Sequence, residues 1–162
     1  MALVLTRIDN RLIHGQVLEA WVPSTKANCI VVANDQVANT TMQKLLMEAS
    51  VPKGIRVIIG TIEEAASILD SEELVNARIL LLFATSRDAL NVHRSGVKFS
   101  KLNLGNMHAG TGKMKCSCTI ALDGEDVENL NQLENEGVAI TSQCVPSDKE
   151  VRWHKMLRLT KN

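Results

Sequence analysis

The chain has 162 residues, the usual size of one domain and enough to bury a core without a disulfide or structural metal. Its 18 basic and 18 acidic residues cancel, no stretch concentrates Lys and Arg, and aromatic residues make up only 2%. This composition argues against a nucleic-acid-binding surface, and the lack of a long apolar run argues against a membrane-spanning helix.

Short apolar runs alternate with longer amphipathic segments along the chain. This alternation predicts βα units, a mainly parallel sheet and an α/β fold in one domain over residues 1–162. The predicted strands, in chain order, are Leu3–Thr6, Cys29–Ala33, Arg56–Gly60, Arg78–Ala84, Lys101–Leu104, Thr119–Leu122 and Val138–Ser142. The first strand meets Arg7 and Asp9 too early for a signal peptide, so we expect a cytoplasmic protein.

Apolar residues at helical spacing predict helices between these strands. The predicted helices are Gly15–Val22, Thr40–Ala49, Ile62–Leu69, Ser86–His93 and Asp126–Glu136. Pro23 is expected to end the first helix, and Thr61 with Glu64 forms a predicted capping box at the start of the third. The basic segment from Arg152 onward is expected to form a terminal helix or to fray.

The second predicted helix places Met42, Leu45, Leu46 and Ala49 on one side at helical spacing. His93 and His154 are interpreted as surface residues. The four cysteines contain no C-x-x-C pair, so we expect free thiols and no metal site.

The loop after the first predicted strand, Thr6 to Gln16, concentrates polar residues where ligands gather in an open parallel sheet. His14 directly precedes Gly15 and the predicted helix start, where free backbone N–H groups and the helix dipole favour an anion such as phosphate. Arg11 lies three residues before His14 and can offer paired N–H donors to phosphoryl oxygens. A structural alternative has turn contacts by Asp9 and Asn10, solvated arginines and a helix-capping His14.

The run Arg7-Ile8-Asp9-Asn10-Arg11-Leu12-Ile13-His14-Gly15-Gln16-Val17 resembles the active-site segment of the enzyme IIB proteins of the mannose, fructose and sorbose class of bacterial sugar phosphotransferase systems. The family usually has Asp-Arg where this chain has Asn10-Arg11. Val31–Asp35, Gly105–Met107 and Gln143–Pro146 agree in order, so the resemblance covers roughly residues 1 to 150. Gly105-Asn106-Met107-His108 departs from the usual Gly-Gly-Met and is similar to the N-acetylgalactosamine or galactosamine branch.

The resemblance implies a mostly parallel seven-stranded sheet with helices on both faces, and phosphorylation of His14 on Nδ1. It implies a phosphoryl-binding site and a bordering crevice. The phosphoryl-binding residues would be Arg7, Asp9, Arg11, Gly15 and Gln16, and the crevice contacts would be Asn10, Thr85, Ser86, Gly105, Asn106 and His108.

The implied function is a phosphocarrier that takes phosphoryl from a phosphohistidine of the A component and passes it to a sugar held by the membrane C and D components. No metal or organic cofactor is expected. The chain would work in the cytoplasm and associate with the inner membrane through these partners, and a homodimer is compatible with the sequence.

Two alternative functions belong to functional classes other than sugar phosphotransfer. A non-catalytic regulatory or interaction domain could keep the fold and use the His14 loop for docking. A nucleotide site in Gly105–Lys113 is disfavoured, because Met107 replaces the first glycine of a phosphate-binding loop and Met114 replaces its Ser or Thr.

Overall fold

The structure is a computed structural model, and it describes residues 1–160. A β-sheet with helices on both faces forms its centre. The strands are β1 Ala2–Asp9, β2 Cys29–Ala33, β3 Arg56–Gly60, β4 Arg78–Phe83, β5 Lys101–Asn106, β6 Met114–Lys115, β7 Ala121–Leu122, β8 Ala139–Ser142 and β9 Val151–Arg152. Within residues 1–160, seven of them form one sheet in the order β3-β2-β4-β1-β5-β8-β9. All neighbours in this sheet are parallel except β9, which runs antiparallel to β8.

Helices connect the strands. A π-helical segment, Val17–Trp21, runs directly into α1, Val22–Thr25, and a 3₁₀ turn covers Glu72–Leu74. The remaining helices are α2 Asp35–Ala38, α3 Thr41–Ser50, α4 Ile62–Leu69, α5 Ser86–Arg94, α6 Gly124–Asn135 and α7 Trp153–Thr160.

The sheet is buried on both faces. Successive side chains along each central strand point to opposite faces, and each face packs into its own apolar cluster. In β2, Val31 packs into the cluster that contains α4 to α7, whereas Ile30 and Val32 pack into the cluster that contains the π-helical segment, α1 and α2. The predicted α/β class, the mostly parallel sheet and the helices on both faces are therefore confirmed.

The sheet order places a topological switch between β1 and β5. The chain leaves β1 toward the face of the π-helical segment, and it leaves β5 toward the face of α6. A crevice therefore opens beyond the carboxyl ends of these two strands, which is where ligands bind in sheets of this type.

One predicted strand of the main sheet is wrong. Thr119–Leu122 contributes only the short β7, which pairs with β6 in a separate two-stranded sheet, and Ile120 makes a single bridge to Met107. The seventh place in the main sheet is taken by β9, two residues long, at the edge. A strand this short carries too little apolar pattern to be predicted.

The predicted end of the first helix at Pro23 is also wrong, because the helix continues to Thr25. The wide π-helical turn ends at Trp21, and Pro23 then lies at the start of a new α-helical turn. Pro23 is accommodated inside this continuous helix because its fixed φ of about −65° is helical, and because the wide π-helical turn before it already departs from the i to i−4 pattern that a proline interrupts.

Other helix predictions have mixed outcomes. Thr61 caps α4, since its hydroxyl accepts from the Glu64 N–H at 3.1 Å, but among the described residues no return bond from the Thr61 N–H to the Glu64 side chain completes the predicted capping box. The apolar side of α3 is not packed on a core, because Met42, Leu45 and Leu46 remain 55 to 66% exposed. His93 is a buried residue and not a surface residue, since it is 3% exposed with its ring edge against Phe99.

The C-terminal segment continues from β9 into α7, which packs Trp153 and Met156 into the core. Trp153 and His154 both hydrogen bond to Glu134 of α6, at 2.8 and 2.7 Å. The last two residues of the predicted domain, 161 and 162, lie outside the described residues.

Candidate functional site

The loop between β1 and the first helix is short, because β1 extends through Arg7 and Asp9, beyond its predicted end at Thr6. The backbone N–H of Asn10 donates to the Asn106 carbonyl at 2.9 Å, which ties the loop to β5. Leu12 lies in the left-handed region with φ 56°, a conformation that costs about 1–3 kcal/mol outside glycine. Leu12 and Ile13 are buried, and their packing holds this conformation.

Asp9 is the centre of the site, and it is fully buried. Its Oδ2 accepts from His14 Nε2 at 2.8 Å, from Asn106 Nδ2 at 3.0 Å and from Arg7 Nε at 3.2 Å. Its Oδ1 accepts from the Arg11 backbone N–H at 3.0 Å. These contacts connect β1, the loop and β5 through one carboxylate.

Burial of Asp9 favours the neutral acid, but the hydrogen bonds from His14 and Asn106 and the charge of Arg7 outweigh burial and hold the pKa of Asp9 below its ordinary value. Asp9 is therefore ionised and can only accept hydrogen bonds. The neutral His14 ring must then carry its proton on Nε2, which leaves the lone pair on Nδ1. Within residues 1–160, Nδ1 of His14 has no hydrogen-bond partner, and the side chain is 13% exposed.

Arg7 lies beneath Asp9 and is fully buried. Its guanidinium uses every N–H on protein acceptors, namely Asp9 Oδ2, Asn103 Oδ1, Gln16 Oε1 and the carbonyls of Gln143 and Cys144. Burial lowers the pKa of Arg7, and the Asp9 carboxylate opposes that change, so the group keeps its charge. No N–H remains for a phosphoryl oxygen. Direct phosphoryl binding by Arg7 therefore does not fit the structure, and Arg7 instead fixes Asp9.

Gly105 and Gln16 complete the surroundings of Arg7. A Cβ on Gly105 would lie well under 3.0 Å from three atoms of the Arg7 guanidinium, so only glycine fits beside it. Gln16 was predicted to bind phosphoryl, but its Oε1 accepts from Arg7 at 2.8 Å and from Asn106 Nδ2 at 3.2 Å. Both residues thus support the Arg7–Asp9 pair in this geometry.

Sequence reasoning did not identify Trp21 and Asn103. The Trp21 ring lies 5.2 Å from the Arg7 guanidinium carbon, and its Nε1 donates to the Cys144 carbonyl at 2.9 Å. Asn103 is an amide between two buried leucines of β5. A polar residue within an apolar strand indicates a buried partner, and that signal could have identified Asn103.

Residues at the mouth of the crevice are more exposed. Arg11 and Gly15 are exposed, and no atom lies within 4 Å of a Cβ built on Gly15. Arg11, Asn10, Asn106 and His108 line a cleft of about 300 Å³ beside the loop. The structure therefore brings together most of the residues predicted for the site, and Arg11 keeps its guanidinium without a partner among residues 1–160.

Thr85 and Ser86 lie elsewhere. The Thr85 hydroxyl caps α5 by accepting from the Asp88 N–H at 3.1 Å. Ser86 is buried, and it donates to Asp126 Oδ1 at 2.7 Å while accepting from Asn129. These contacts place Ser86 in the α5–α6 packing and not in the crevice that was predicted for it.

Within the described chain, no helix combines the length and apolar character needed to cross a membrane. Residues 1–160 also contain no group of three or more His, Cys, Asp or Glu side chains arranged to hold a metal ion. The four cysteines are free thiols.

The sequence is similar to those of known proteins over almost its whole length. The sequence matches the family described as the PTS system sorbose subfamily IIB component over residues 3–162. It is 38% identical to the N-acetylgalactosamine-specific phosphotransferase enzyme IIB component 2 of Escherichia coli K12, over 96% of this chain and 98% of that protein. It is 29% identical to the E. coli K12 mannose-specific EIIAB component, over 97% of this chain and 49% of that longer protein.

The fold of the chain is also similar to the folds of solved structures. The IIBSor domain of the sorbose permease of Klebsiella pneumoniae superimposes with a TM-score of 0.93 at 31% identity, covering 99% of this chain and 98% of that domain. The match over almost the whole sequence, together with the shared fold, shows that this chain belongs to the sorbose subfamily of IIB components of the sugar phosphotransferase system.

Proposed function

We propose that the chain is a phosphocarrier in which His14 accepts a phosphoryl group from a phosphohistidine of the A component and passes it to a sugar. The sugar would be presented by the membrane C and D components. The proposal rests above all on the 2.8 Å contact of His14 Nε2 with Asp9, which leaves Nδ1 as the unpartnered nitrogen at the mouth of the crevice.

The chemistry follows from that contact. As the Nδ1 lone pair of His14 forms a bond to phosphorus, the P–N bond of the donor breaks and its electron pair returns to the donor ring. The His14 ring keeps its proton on Nε2 and gains positive charge, which the ionised Asp9 carboxylate stabilises. Arg7 keeps Asp9 in place and needs no contact with the phosphoryl group. In the onward step, the sugar hydroxyl oxygen bonds to phosphorus and the P–N bond breaks, with its electron pair returning to Nδ1 of a neutral His14 ring. The hydroxyl proton passes to a base beside the sugar in the membrane component or to water.

The surroundings of Nδ1 suit a phosphoryl group. The backbone N–H groups at the start of the helix after His14 have no intrahelical partners, and the Arg11 guanidinium is free to approach from the loop. Transfer of this kind depends on positioning and charge, and it requires no metal.

The partners are proposed from the family. One relative is an EIIAB protein of which this chain matches about half, which supports an A component as donor. The chain would then act in the cytoplasm, at the inner membrane where the C and D components hold the sugar. The amino-sugar class is proposed as substrate, because a relative at 38% identity is N-acetylgalactosamine-specific.

A stepwise transfer assay tests the function. Phosphoenolpyruvate with the upstream carriers and the A component should load an acid-labile phosphoryl group on this chain, and membranes with the C and D components plus N-acetylgalactosamine should remove it. Binding to the A component without any label would instead support the non-catalytic docking domain.

Arg11→Lys should slow phosphoryl arrival although it keeps the charge. A guanidinium can hold two phosphoryl oxygens in one plane, whereas an ammonium cannot. Losing one charge-assisted hydrogen bond costs about 1.5–3 kcal/mol, so transfer should slow by about 10- to 100-fold. The rate is measured by rapid quench, and the melting temperature should hardly change, because Arg11 is exposed. Transfer at the wild-type rate would remove Arg11 from the site.

His108→Ala should weaken transfer modestly, because His108 borders the cleft but does not contact Asp9 or His14. We expect a decrease of about two- to tenfold, as for a partly exposed hydrogen bond. Peptide mapping of the phosphorylated wild-type protein should find no label at position 108. Label on His108 would contradict a single acceptor.

A further inference from the structure

The cleft beside the His14 loop is lined by basic and neutral residues. Arg11 contributes from the loop, and His108 and Lys115 contribute from the segment after β5. No Asp or Glu lines this cleft, although the chain as a whole carries 18 acidic residues and no net charge. The positive character is therefore a local property of this surface.

The three basic side chains are available to a partner. Arg11, His108 and Lys115 are exposed, and within residues 1–160 none of the three side chains forms a hydrogen bond or ion pair. Three unpaired cations around one cleft that contains no carboxylate concentrate positive charge there, and such a surface attracts an external counter-charge.

The segment that carries His108 and Lys115 is held in place before any partner arrives. Met107 exchanges backbone hydrogen bonds with Thr119 and Ala121 at 2.9 and 2.8 Å. Lys113, between the two basic residues, donates to Asp126 of α6 at 3.0 Å. A preformed surface loses less entropy on binding, which favours a docking role.

The inner wall of the cleft does not favour a small anion. Ser117 Oγ accepts from the backbone N–H groups of Thr119 and Ile120 at 3.3 and 3.1 Å, and Thr119 Oγ1 contacts Cys144 Sγ. These polar atoms stabilise the turn, so the free donors lie at the exposed rim. Cations at a rim are suited to carboxylates on a protein surface, where they act on association rate and its salt dependence.

We infer that Arg11, His108 and Lys115 form a docking surface for acidic residues around the phosphohistidine of the donor protein. This inference rests on the proposed function, because transfer requires the donor's surface to approach His14. The three cations would attract the donor and orient it, and Arg11 would in addition contact the transferred phosphoryl group, while Asp9 and His14 perform the chemistry.

The test variant is Lys115→Glu, since Lys115 lies outside the His14–Asp9–Arg7 arrangement. At low ionic strength, kcat/KM for transfer from the phosphorylated cognate A component should fall by about tenfold or more, with kcat at saturating donor unchanged. The wild-type kcat/KM should decrease as NaCl is added, and that of Lys115→Glu should decrease less steeply. Lys115→Gln should give an intermediate value.

Lys53→Glu is the matched control, because Lys53 is exposed just before β3, at the opposite edge of the parallel sheet. It makes the same charge change and should keep the wild-type rate and salt slope. An equal loss in Lys53→Glu would mean that only total charge matters, and it would overturn the docking surface.

Other outcomes are equally decisive. Wild-type kcat/KM and salt slope in Lys115→Glu would contradict the docking surface while leaving the phosphocarrier function intact. Saturable shifts of the His108 ring signals with inorganic phosphate at low concentration would overturn it in favour of a small-anion site. If the wild-type chain accepts no phosphoryl from the A component, the proposed function itself fails.

Discussion

Replacing His14 by alanine is expected to reduce phosphoryl acceptance to background while leaving the protein folded. The alanine variant has no ring nitrogen at the mouth of the crevice, and no other residue takes the place of Nδ1. Asp9 keeps its hydrogen bonds from Arg7, Asn106 and the Arg11 backbone, so the buried carboxylate remains satisfied. Intact-mass measurement after incubation with the phosphorylated A component shows whether the variant carries a phosphoryl group. Thermal unfolding shows whether the variant is folded.

His14→Gln provides the control for this prediction, because its amide can still donate to Asp9 but cannot accept phosphoryl. It should be as inactive as the alanine variant and should melt closer to the wild type. A full phosphoryl group on either variant would show that another residue is the acceptor.

Gly105→Ala is expected to produce the largest loss of stability. The added Cβ would overlap the Arg7 guanidinium, which must then move away from Asp9, Gln16 and the carbonyls that surround it. Breaking a buried ion pair costs about 3–5 kcal/mol. Urea unfolding should show this loss, and the folded fraction should transfer phosphoryl more slowly, because Asp9 no longer orients His14.

Gly110→Ala is the matched control, since no atom lies within 4 Å of a Cβ built there and the residue is exposed. It should unfold at nearly the wild-type urea concentration. If Gly105→Ala and Gly110→Ala behave alike, the Arg7–Asp9 pair does not depend on the space beside Gly105.

The sequence was sufficient to predict six of the seven strands of the main sheet within residues 1–160, because each of the six carries its own apolar run. The boundaries of β2 and β3 agree with the predicted ranges, since the apolar run of β2 lies between Asn28 and Asn34 and that of β3 lies between Arg56 and Gly60. β1 continues beyond its predicted end because Arg7 and Asp9 neutralise each other inside the sheet. The polar residues after Thr6 therefore interrupt the apolar pattern of β1, but the strand itself continues to Asp9.

The sequence grouped most residues of the candidate site, but it did not show which contacts each of them makes. Asp9, Arg11 and His14 lie within six residues of one another in the sequence, so a short sequence segment is enough to predict that they lie close together. The role of Arg7 depends on Asn103, Gln143 and Cys144, which are far away along the chain and meet it only after β1, β5 and β8 assemble. A local pattern cannot show that all donors of an arginine are used, so direct phosphoryl binding was assigned to it in error.

The exposed apolar side of α3 shows a similar limit. Periodicity places Met42, Leu45 and Leu46 together, but it does not show whether another element of the same chain covers them. Ser86 was misplaced for a related reason, since its partners Asp126 and Asn129 belong to α6.

Locating the phosphoryl group on the phosphorylated protein shows whether the Nδ1 nitrogen of His14 carries it. The protein, labelled with ¹⁵N in its histidine rings, is phosphorylated through the A component and studied by ³¹P and ¹⁵N NMR, with peptide mapping under alkaline conditions. We predict one acid-labile phosphoryl group, on Nδ1 of His14, with the proton retained on Nε2 toward Asp9. A phosphoryl group on Nε2 or on another residue, or no phosphoryl group at all, would rule out Nδ1 of His14 as the acceptor.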